Sequence, residues 1–114
     1  MLNIKDQKEN GTWICALEGR LDGNTSEQAD KHLSELAGKD EVTDLILDLS
    51  SLDYLSSAGL RVFLMAAKRA KSKQRQVVLA APNDGVKQVL TISGFSSILQ
   101  IYPDRATALD TLGS

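Results

Sequence analysis

Short apolar segments alternate with stretches whose apolar residues recur every three or four positions, and this alternation predicts an α/β fold. Leu2-Asn3-Ile4 and Thr12–Leu17 are predicted to pair as a hairpin around the turn signal Glu9-Asn10-Gly11. Continuous apolar runs are typical of strands covered on both faces. Further strands are predicted at Val42–Leu49, Val77–Ala80 and Ile98–Tyr102.

Helical periodicity marks the segments between these strands. After a predicted polar loop over Gly19–Asn24, Asn24 or Thr25 is placed to cap the first helix and Gly38 to end it. The predicted helices are Ser26–Ala37, Ala58–Lys71, Val86–Ile92 and a segment from Pro103 to about Leu112. The pattern therefore predicts one domain over residues 1–114, with a mixed sheet of about five strands and about four helices packed on it.

Composition narrows the class of protein. The chain has 114 residues, 42% of them hydrophobic and 25% charged, which is ordinary for a globular domain that buries its own core. A net charge of −2 indicates no strong attraction to nucleic acid or to an anionic membrane. We expect a cytoplasmic protein, because Cys15 has no disulfide partner and neither a signal peptide nor a membrane-length apolar run is found.

The segment Leu52–Arg61 carries the most informative chemistry. It follows an apolar strand and places Ser57 at the predicted start of a helix, where free N–H groups and the positive dipole end favour an anion. Ser57 can therefore cap the helix or accept a phosphate. Ala58 and Gly59 are small and are expected to keep the first-turn N–H groups accessible. Ser56 supplies a second hydroxyl, which can serve the turn instead.

Asp22 lies in the predicted loop Gly19-Arg20-Leu21-Asp22, which also follows a strand. Because loops after parallel strands meet at one edge of a sheet, Asp22 can lie near Ser57 and belong to the same site. The alternative is a loop residue whose carboxylate bonds its own backbone.

No metal site and no catalytic group are expected. His32 is the single histidine, and no cysteine lies near it in the sequence. Cys15 lies within an apolar strand and is expected in the core. Three aspartates that flank strands are expected to face solvent rather than to bind Mg²⁺: Asp44, Asp48 and Asp53. A phosphate-binding glycine loop and a Ser-His-Asp grouping are both missing from the sequence, so the protein is not expected to be an enzyme.

A basic run ends the helix that begins near Ser57. Its residues are Lys68, Arg69, Lys71, Lys73 and Arg75. Cations favour the negative end of a helix dipole, so we expect a solvated helix terminus. Aromatic residues do not interleave with the run, and nucleic-acid binding is therefore not expected.

The stretch Leu45–Gly59, Leu-Ile-Leu-Asp-Leu-Ser-Ser-Leu-Asp-Tyr-Leu-Ser-Ser-Ala-Gly, resembles STAS domains, and in particular the bacterial anti-anti-sigma factors (anti-sigma factor antagonists). Gly19-Arg20-Leu21-Asp22 resembles the family's Gly-x-Leu-Asp loop, and Val86–Phe95 its third helix and following turn. The resemblance covers nearly the whole chain and implies the STAS fold.

The resemblance also implies a partner-switching cycle. The unphosphorylated antagonist binds an anti-sigma factor that is also a serine kinase of the histidine-kinase-like ATPase fold. Phosphorylation of the antagonist makes the complex dissociate, and a PP2C-type phosphatase then removes the phosphate. Ser57 matches the phosphorylated serine, with Ser56 as an alternative acceptor. Asp22, Ser56, Ser57, Ala58 and Gly59 are then expected at the partner-binding surface.

Two positions depart from the family pattern. Many members have Asp immediately before the phosphorylated serine, where this chain has Ser56. The turn that often carries a Gly pair is here Lys73-Gln74-Arg75-Gln76, which concerns loop shape rather than the site.

Two other functions stay open. A soluble STAS subunit of an ABC-type lipid transporter would have the same fold, and a transport role would leave Ser57 without phosphate. A small-molecule or nucleotide sensor is the other candidate, although no phosphate-cradling glycine loop supports it. For a protein that exchanges partners, a monomer is the simplest expectation. No cofactor is expected.

Overall fold

A computed structural model describes residues 1–9, 11–39 and 44–112. Six strands and four α-helices follow one another in the described chain, with a short 3₁₀ turn at Phe95–Ser97. The strands are β1 Leu2–Glu9, β2 Thr12–Leu21, β3 Leu45–Asp48, β4 Leu52–Leu55, β5 Val77–Ala80 and β6 Ile101–Tyr102. The helices are α1 Ser26–Ala37, α2 Ser57–Ser72, α3 Asp84–Ile92 and α4 Arg105–Leu112.

The strands form one mixed sheet. Its order is β1-β2-β3-β5-β6. Strand β4 lies off this path and pairs with the end of β2, beyond the stretch of β2 that pairs with β3. The β1–β2 hairpin is antiparallel, with Leu2 opposite Gly19 and Glu9 opposite Thr12. All other pairs are parallel. The predicted mixed α/β architecture is confirmed, with one strand more than the hydrophobic pattern indicated.

The extra strand is β4, and it also explains why β2 is longer than predicted. Gly19–Leu21 was expected in a polar loop, but it continues β2 because β4 supplies backbone partners, with Leu21 opposite Leu55. Gly19 has φ +106°, and a Cβ there would lie 2.3 Å from the carbonyl oxygen of Met1. Only glycine allows this close approach without strain.

The predicted boundaries of the other elements agree with the structure to different degrees. Helix α1 spans the predicted Ser26–Ala37, with Thr25 and Gly38 at its two caps. Helix α3 begins two residues earlier than predicted, because the Asn83 side chain accepts a hydrogen bond of 2.8 Å from the Val86 N–H. Strand β6 contains only the last two residues of the predicted Ile98–Tyr102. Within the predicted strand Val42–Leu49, residues 42 and 43 lie outside the described residues.

The sheet buries both faces. Helices α1, α2 and α3 cover one face, where Leu17, Leu47 and Phe63 are fully buried in the larger core. Helix α4 covers the other face through Ala108, which packs against Ile46 and its neighbours. Strands β3 and β5 are buried at every residue, as the continuous apolar runs predicted.

One expectation about charged residues is wrong, and a second holds for most of the residues concerned. Asp48 is buried rather than solvent-facing, and its carboxylate accepts hydrogen bonds from the Arg105 guanidinium at 2.5 and 3.1 Å. Burial acts to raise the pKa of Asp48, but the Ser50 N–H and Arg105 outweigh it and hold that pKa below its usual value. The basic end of α2 is solvated at Lys68, Lys71 and Lys73, as expected. Arg69 differs, because it forms a 3.0 Å ion pair with Asp30 of α1.

Candidate functional site

The carboxyl ends of β2 and β4 bring the Asp22 turn beside the start of α2. Leu21 and Leu55, the last residues of the two strands, pair in parallel register. The Ser56 N–H continues this pairing by donating to the Leu21 carbonyl at 3.0 Å. Asp22 and the two serines therefore meet at one edge of the sheet, as their positions after strands indicated.

Ser56, rather than Ser57, caps α2. Its backbone is extended, with φ −101° and ψ 175°, and its hydroxyl accepts a hydrogen bond of 3.5 Å from the Gly59 N–H. This is the arrangement of an N-cap residue. The prediction that Ser57 itself could be the cap is wrong, because the helix begins one residue earlier than the apolar pattern suggested.

Ser57 is left as the first residue of the helix, with an exposed side chain. Its hydroxyl has no hydrogen-bond partner within residues 1–9, 11–39 and 44–112. At this position the N–H groups of Ser57 and Ala58 have no acceptor within the helix. An accessible, unengaged hydroxyl thus lies at the positive end of a 16-residue helix, which favours a negatively charged group there.

The Asp22 side chain stabilises the turn that follows β2 by bonding to the backbone of that turn. Its carboxylate accepts a hydrogen bond of 3.0 Å from the Asn24 N–H, while the Thr25 hydroxyl donates to the Arg20 carbonyl at 2.8 Å. The Asn24 N–H is the main reason that the pKa of Asp22 lies below its usual value. Asp22 therefore bonds its own loop, and the pairing of the two strand ends places that loop beside the start of α2.

An exposed cation–aromatic pair extends this surface along β2 and β4. The Arg20 guanidinium lies 4.2 Å from the centre of the Tyr54 ring, and its Nε is 3.4 Å from the Asp22 carboxylate. Tyr54 is 43% exposed. The sequence pattern did not single out Tyr54, because its place opposite Arg20 follows only once β4 is known to be a strand.

Gly59 has a packing role at the site. It is buried, and a Cβ there would lie 2.6 Å from Leu55 Cδ1 and 2.8 Å from Leu21 Cγ. Its own N–H is bonded to the Ser56 hydroxyl, so among the first-turn N–H groups this one is not free to meet an anion. The missing side chain instead lets the first turn of α2 pack directly on the ends of β2 and β4.

A shallow groove between α1 and α2 continues from Ser57. Its lining residues are Ser26, Glu27, Asp30, Ala58, Arg61, Val62 and Met65. Met65 is 39% exposed, and its spacing of four residues from Arg61 places both on one stripe of α2. Sequence reasoning missed Arg61 and Met65, although this helical spacing was a signal that could have found them.

The STAS domain family model matches residues 3–108, and the chain belongs to that family. One relative is BtrV of Bordetella bronchiseptica, whose name describes it as an anti-sigma factor antagonist. It is 39% identical to this chain over 107 residues, which cover 94% of this chain and 91% of BtrV.

Solved structures share the fold. An anti-sigma factor antagonist from Mycobacterium paratuberculosis has a TM-score of 0.93 at 18% identity, covering 100% of this chain and 96% of that one. The antagonist SpoIIAA of Bacillus in its unphosphorylated form has a TM-score of 0.81 at 19% identity, covering 100% and 98% of the two chains. Its phosphorylated form has a TM-score of 0.73 at 20% identity, covering 98% and 99%.

Within the described residues, every helix is too short or too polar to cross a membrane.

Proposed function

We propose that this protein is an anti-sigma factor antagonist that acts by partner switching, with Ser57 as the phosphorylated residue. In the unphosphorylated form it binds an anti-sigma factor through the edge that carries Asp22, Ser57 and Ala58. Phosphate on Ser57 releases that partner. The names of BtrV and of the structural relatives support the antagonist role.

One observation carries the choice of Ser57 over Ser56. The Ser57 hydroxyl is exposed and unengaged within the described chain, whereas the Ser56 hydroxyl is half-buried and accepts the Gly59 N–H. A kinase needs a serine oxygen that can reach the γ-phosphorus of ATP. Ser57 meets this requirement without disturbing the helix, whereas a phosphate on Ser56 would require the helix cap to open.

The chemistry of release follows from charge. In the transfer, Ser57 Oγ forms a bond to the γ-phosphorus, the bond to the ADP leaving group breaks, and the hydroxyl proton passes to the kinase. The product adds roughly −1.5 to −2 charge units at the surface. The ionised Asp22 carboxylate lies in the adjacent turn. An unpaired charge buried against a partner costs several kcal/mol, so we expect a loss of affinity on the order of 100-fold or more.

The partners belong to the same proposal. The kinase is an anti-sigma factor of the histidine-kinase-like ATPase fold, and a PP2C-type phosphatase removes the phosphate. The antagonist is a substrate and binding module rather than an enzyme, and this role requires the cytoplasm, where sigma factors act. A shallow surface beside Ser57, rather than a deep pocket, supports recognition of a protein.

The first test is phosphosite mapping by mass spectrometry on the protein from its native cells. Phosphate on Ser57 is the expected result. The second test uses the kinase captured with Ser57→Ala as bait. With ATP, it should phosphorylate wild type and Ser56→Ala but not Ser57→Ala, and it should bind Ser57→Asp at least about 100-fold more weakly than Ser57→Ala.

Equal binding of Ser57→Ala and Ser57→Asp would contradict the switch. Phosphate on Ser56 alone would keep the cycle and move the acceptor. If neither serine carried phosphate under any growth or stress condition, while the protein co-purified with an ABC-type ATPase subunit, the transporter-subunit function would replace this proposal.

A further inference from the structure

Three side chains with metal-ligating atoms converge where α1 crosses the β1–β2 hairpin. Asp6 of β1 and Cys15 of β2 are cross-strand partners, so both side chains project from the same face of the sheet. His32 of α1 reaches the same point, with Nε2 2.7 Å from the Asp6 carboxylate. One carboxylate oxygen, the Cys15 sulfur and one imidazole nitrogen all lie within 4.8 Å of one another.

We propose that Asp6, Cys15 and His32 form a binding site for one Zn²⁺ ion. Zinc takes thiolate, imidazole and carboxylate ligands together, whereas Mg²⁺ and Ca²⁺ require oxygen ligands alone. A sulfur–nitrogen–oxygen set therefore selects a transition metal of the zinc type over the hard cations. This inference is independent of the role of Ser57.

Only small movements separate the three side chains from a tetrahedral site. Zinc bonds of about 2.0–2.3 Å place neighbouring ligand atoms roughly 3.3–3.7 Å apart. The contact between His32 and Asp6 must open from 2.7 Å, and the sulfur must approach the other two ligand atoms by at most about 1.5 Å from the 4.8 Å limit. Because the Asp6 and His32 side chains are partly exposed, we expect their rotation to supply most of both changes.

The exposure of the ligands gives the metal an entry path. Cys15 is fully buried, whereas the side chains of His32 and Asp6 are 31% and 25% exposed. Zinc would enter from the solvent side and keep water as its fourth ligand. On binding, a sulfur–zinc bond forms and the thiol proton leaves to solvent. Nε2 of His32 gives its lone pair, with the ring proton on Nδ1.

A bound ion would tie the hairpin to α1. Asp6 and Cys15 hold neighbouring strands, and His32 lies two helical turns beyond Thr25, which borders the Asp22 turn. Because the ion binds the folded chain far better than the unfolded one, it should raise the melting temperature.

The test uses the full chain without an affinity tag, stripped of metal under reducing conditions. Calorimetric titration with Zn²⁺ should show one site per chain. Titration with Co²⁺ should produce the near-ultraviolet thiolate-to-cobalt band that reports a sulfur ligand. Since loss of a second-shell partner alone costs about 10–100-fold in affinity, His32→Gln and Asp6→Asn should each weaken binding at least tenfold. Cys15→Ala should lose the cobalt band.

The matched control is Asp53→Asn, which changes an exposed carboxylate on β4 away from the cluster. It should bind Zn²⁺ like wild type. Wild type that takes up no Zn²⁺, or that binds it no more tightly than His32→Gln, would overturn the site and leave a hydrogen-bonded Asp6–His32 pair. Because His32 and Asp6 lie near the surface, their variants keep the test decisive even if Cys15→Ala folds poorly.

Discussion

Substituting Ser56 and Ser57 one at a time tests whether Ser56 caps α2 and Ser57 accepts the phosphate. Ser56→Ala removes the side chain that accepts the Gly59 N–H. Loss of an N-cap costs about 0.5–2 kcal/mol, and the long 3.5 Å hydrogen bond places this cap at the low end, near 0.5 kcal/mol. For 114 residues, the average unfolding entropy makes 1 kcal/mol worth roughly 4 °C, so the melting temperature should fall by about 2 °C.

Ser57→Ala should behave differently. The side chain is exposed and has no hydrogen-bond partner within the described chain, so its loss should change stability by less than about 0.5 kcal/mol. Phosphorylation by the kinase should nevertheless disappear in Ser57→Ala and persist in Ser56→Ala. Thermal unfolding followed by circular dichroism gives the first readout, and incorporation of phosphate from ATP gives the second.

Ser56→Asp is the matched control. Aspartate caps a helix about as well as serine, so this variant should keep the stability of wild type. It also restores the residue that many family members have before the phosphorylated serine, and phosphorylation of Ser57 should continue. The reasoning would be refuted if Ser57→Ala lost as much stability as Ser56→Ala, or if Ser56→Ala blocked phosphorylation as completely as Ser57→Ala.

Two further predictions concern the packing around the site and the opposite face of the sheet. Gly59→Ala should destabilise by up to about 2 kcal/mol, since overpacking against Leu21 and Leu55 costs about 1–3 kcal/mol and better helix propensity returns about 1. An unchanged urea midpoint would show that the leucines move aside freely. Arg105→Ala should cost about 1.5–3 kcal/mol at neutral pH, because Asp48 stays buried and loses a charged hydrogen-bond donor. Since the pKa of Asp48 is lowered by folding, its contribution is present above the ordinary carboxyl pKa of about 3.9 and is lost as pH falls through the folded value. The gap between wild type and Arg105→Ala in urea titrations should therefore narrow below about pH 4, and a gap that stayed constant would contradict this account.

Hydrophobic periodicity by itself determined the main elements. Helix α1 and strand β5 have the predicted bounds, because one shows a clear helical stripe and the other is an apolar run buried on both faces. The positions of Asp22 and Ser57 after strands also indicated that they would share a sheet edge, and the parallel pairing of β2 with β4 brings them together.

The tertiary structure decided the features that depend on partners distant in the sequence. Strand β4 is a short segment whose pairing with β2 makes it a strand, and this pairing also places Tyr54 beside Arg20. Asp48 is buried because Arg105, 57 residues later, supplies its counter-charge. Local patterns report local conformation, whereas cross-strand register and helix packing depend on the whole chain. The same reason hid the cluster of Cys15 with His32, which are far apart in sequence and adjacent only after folding.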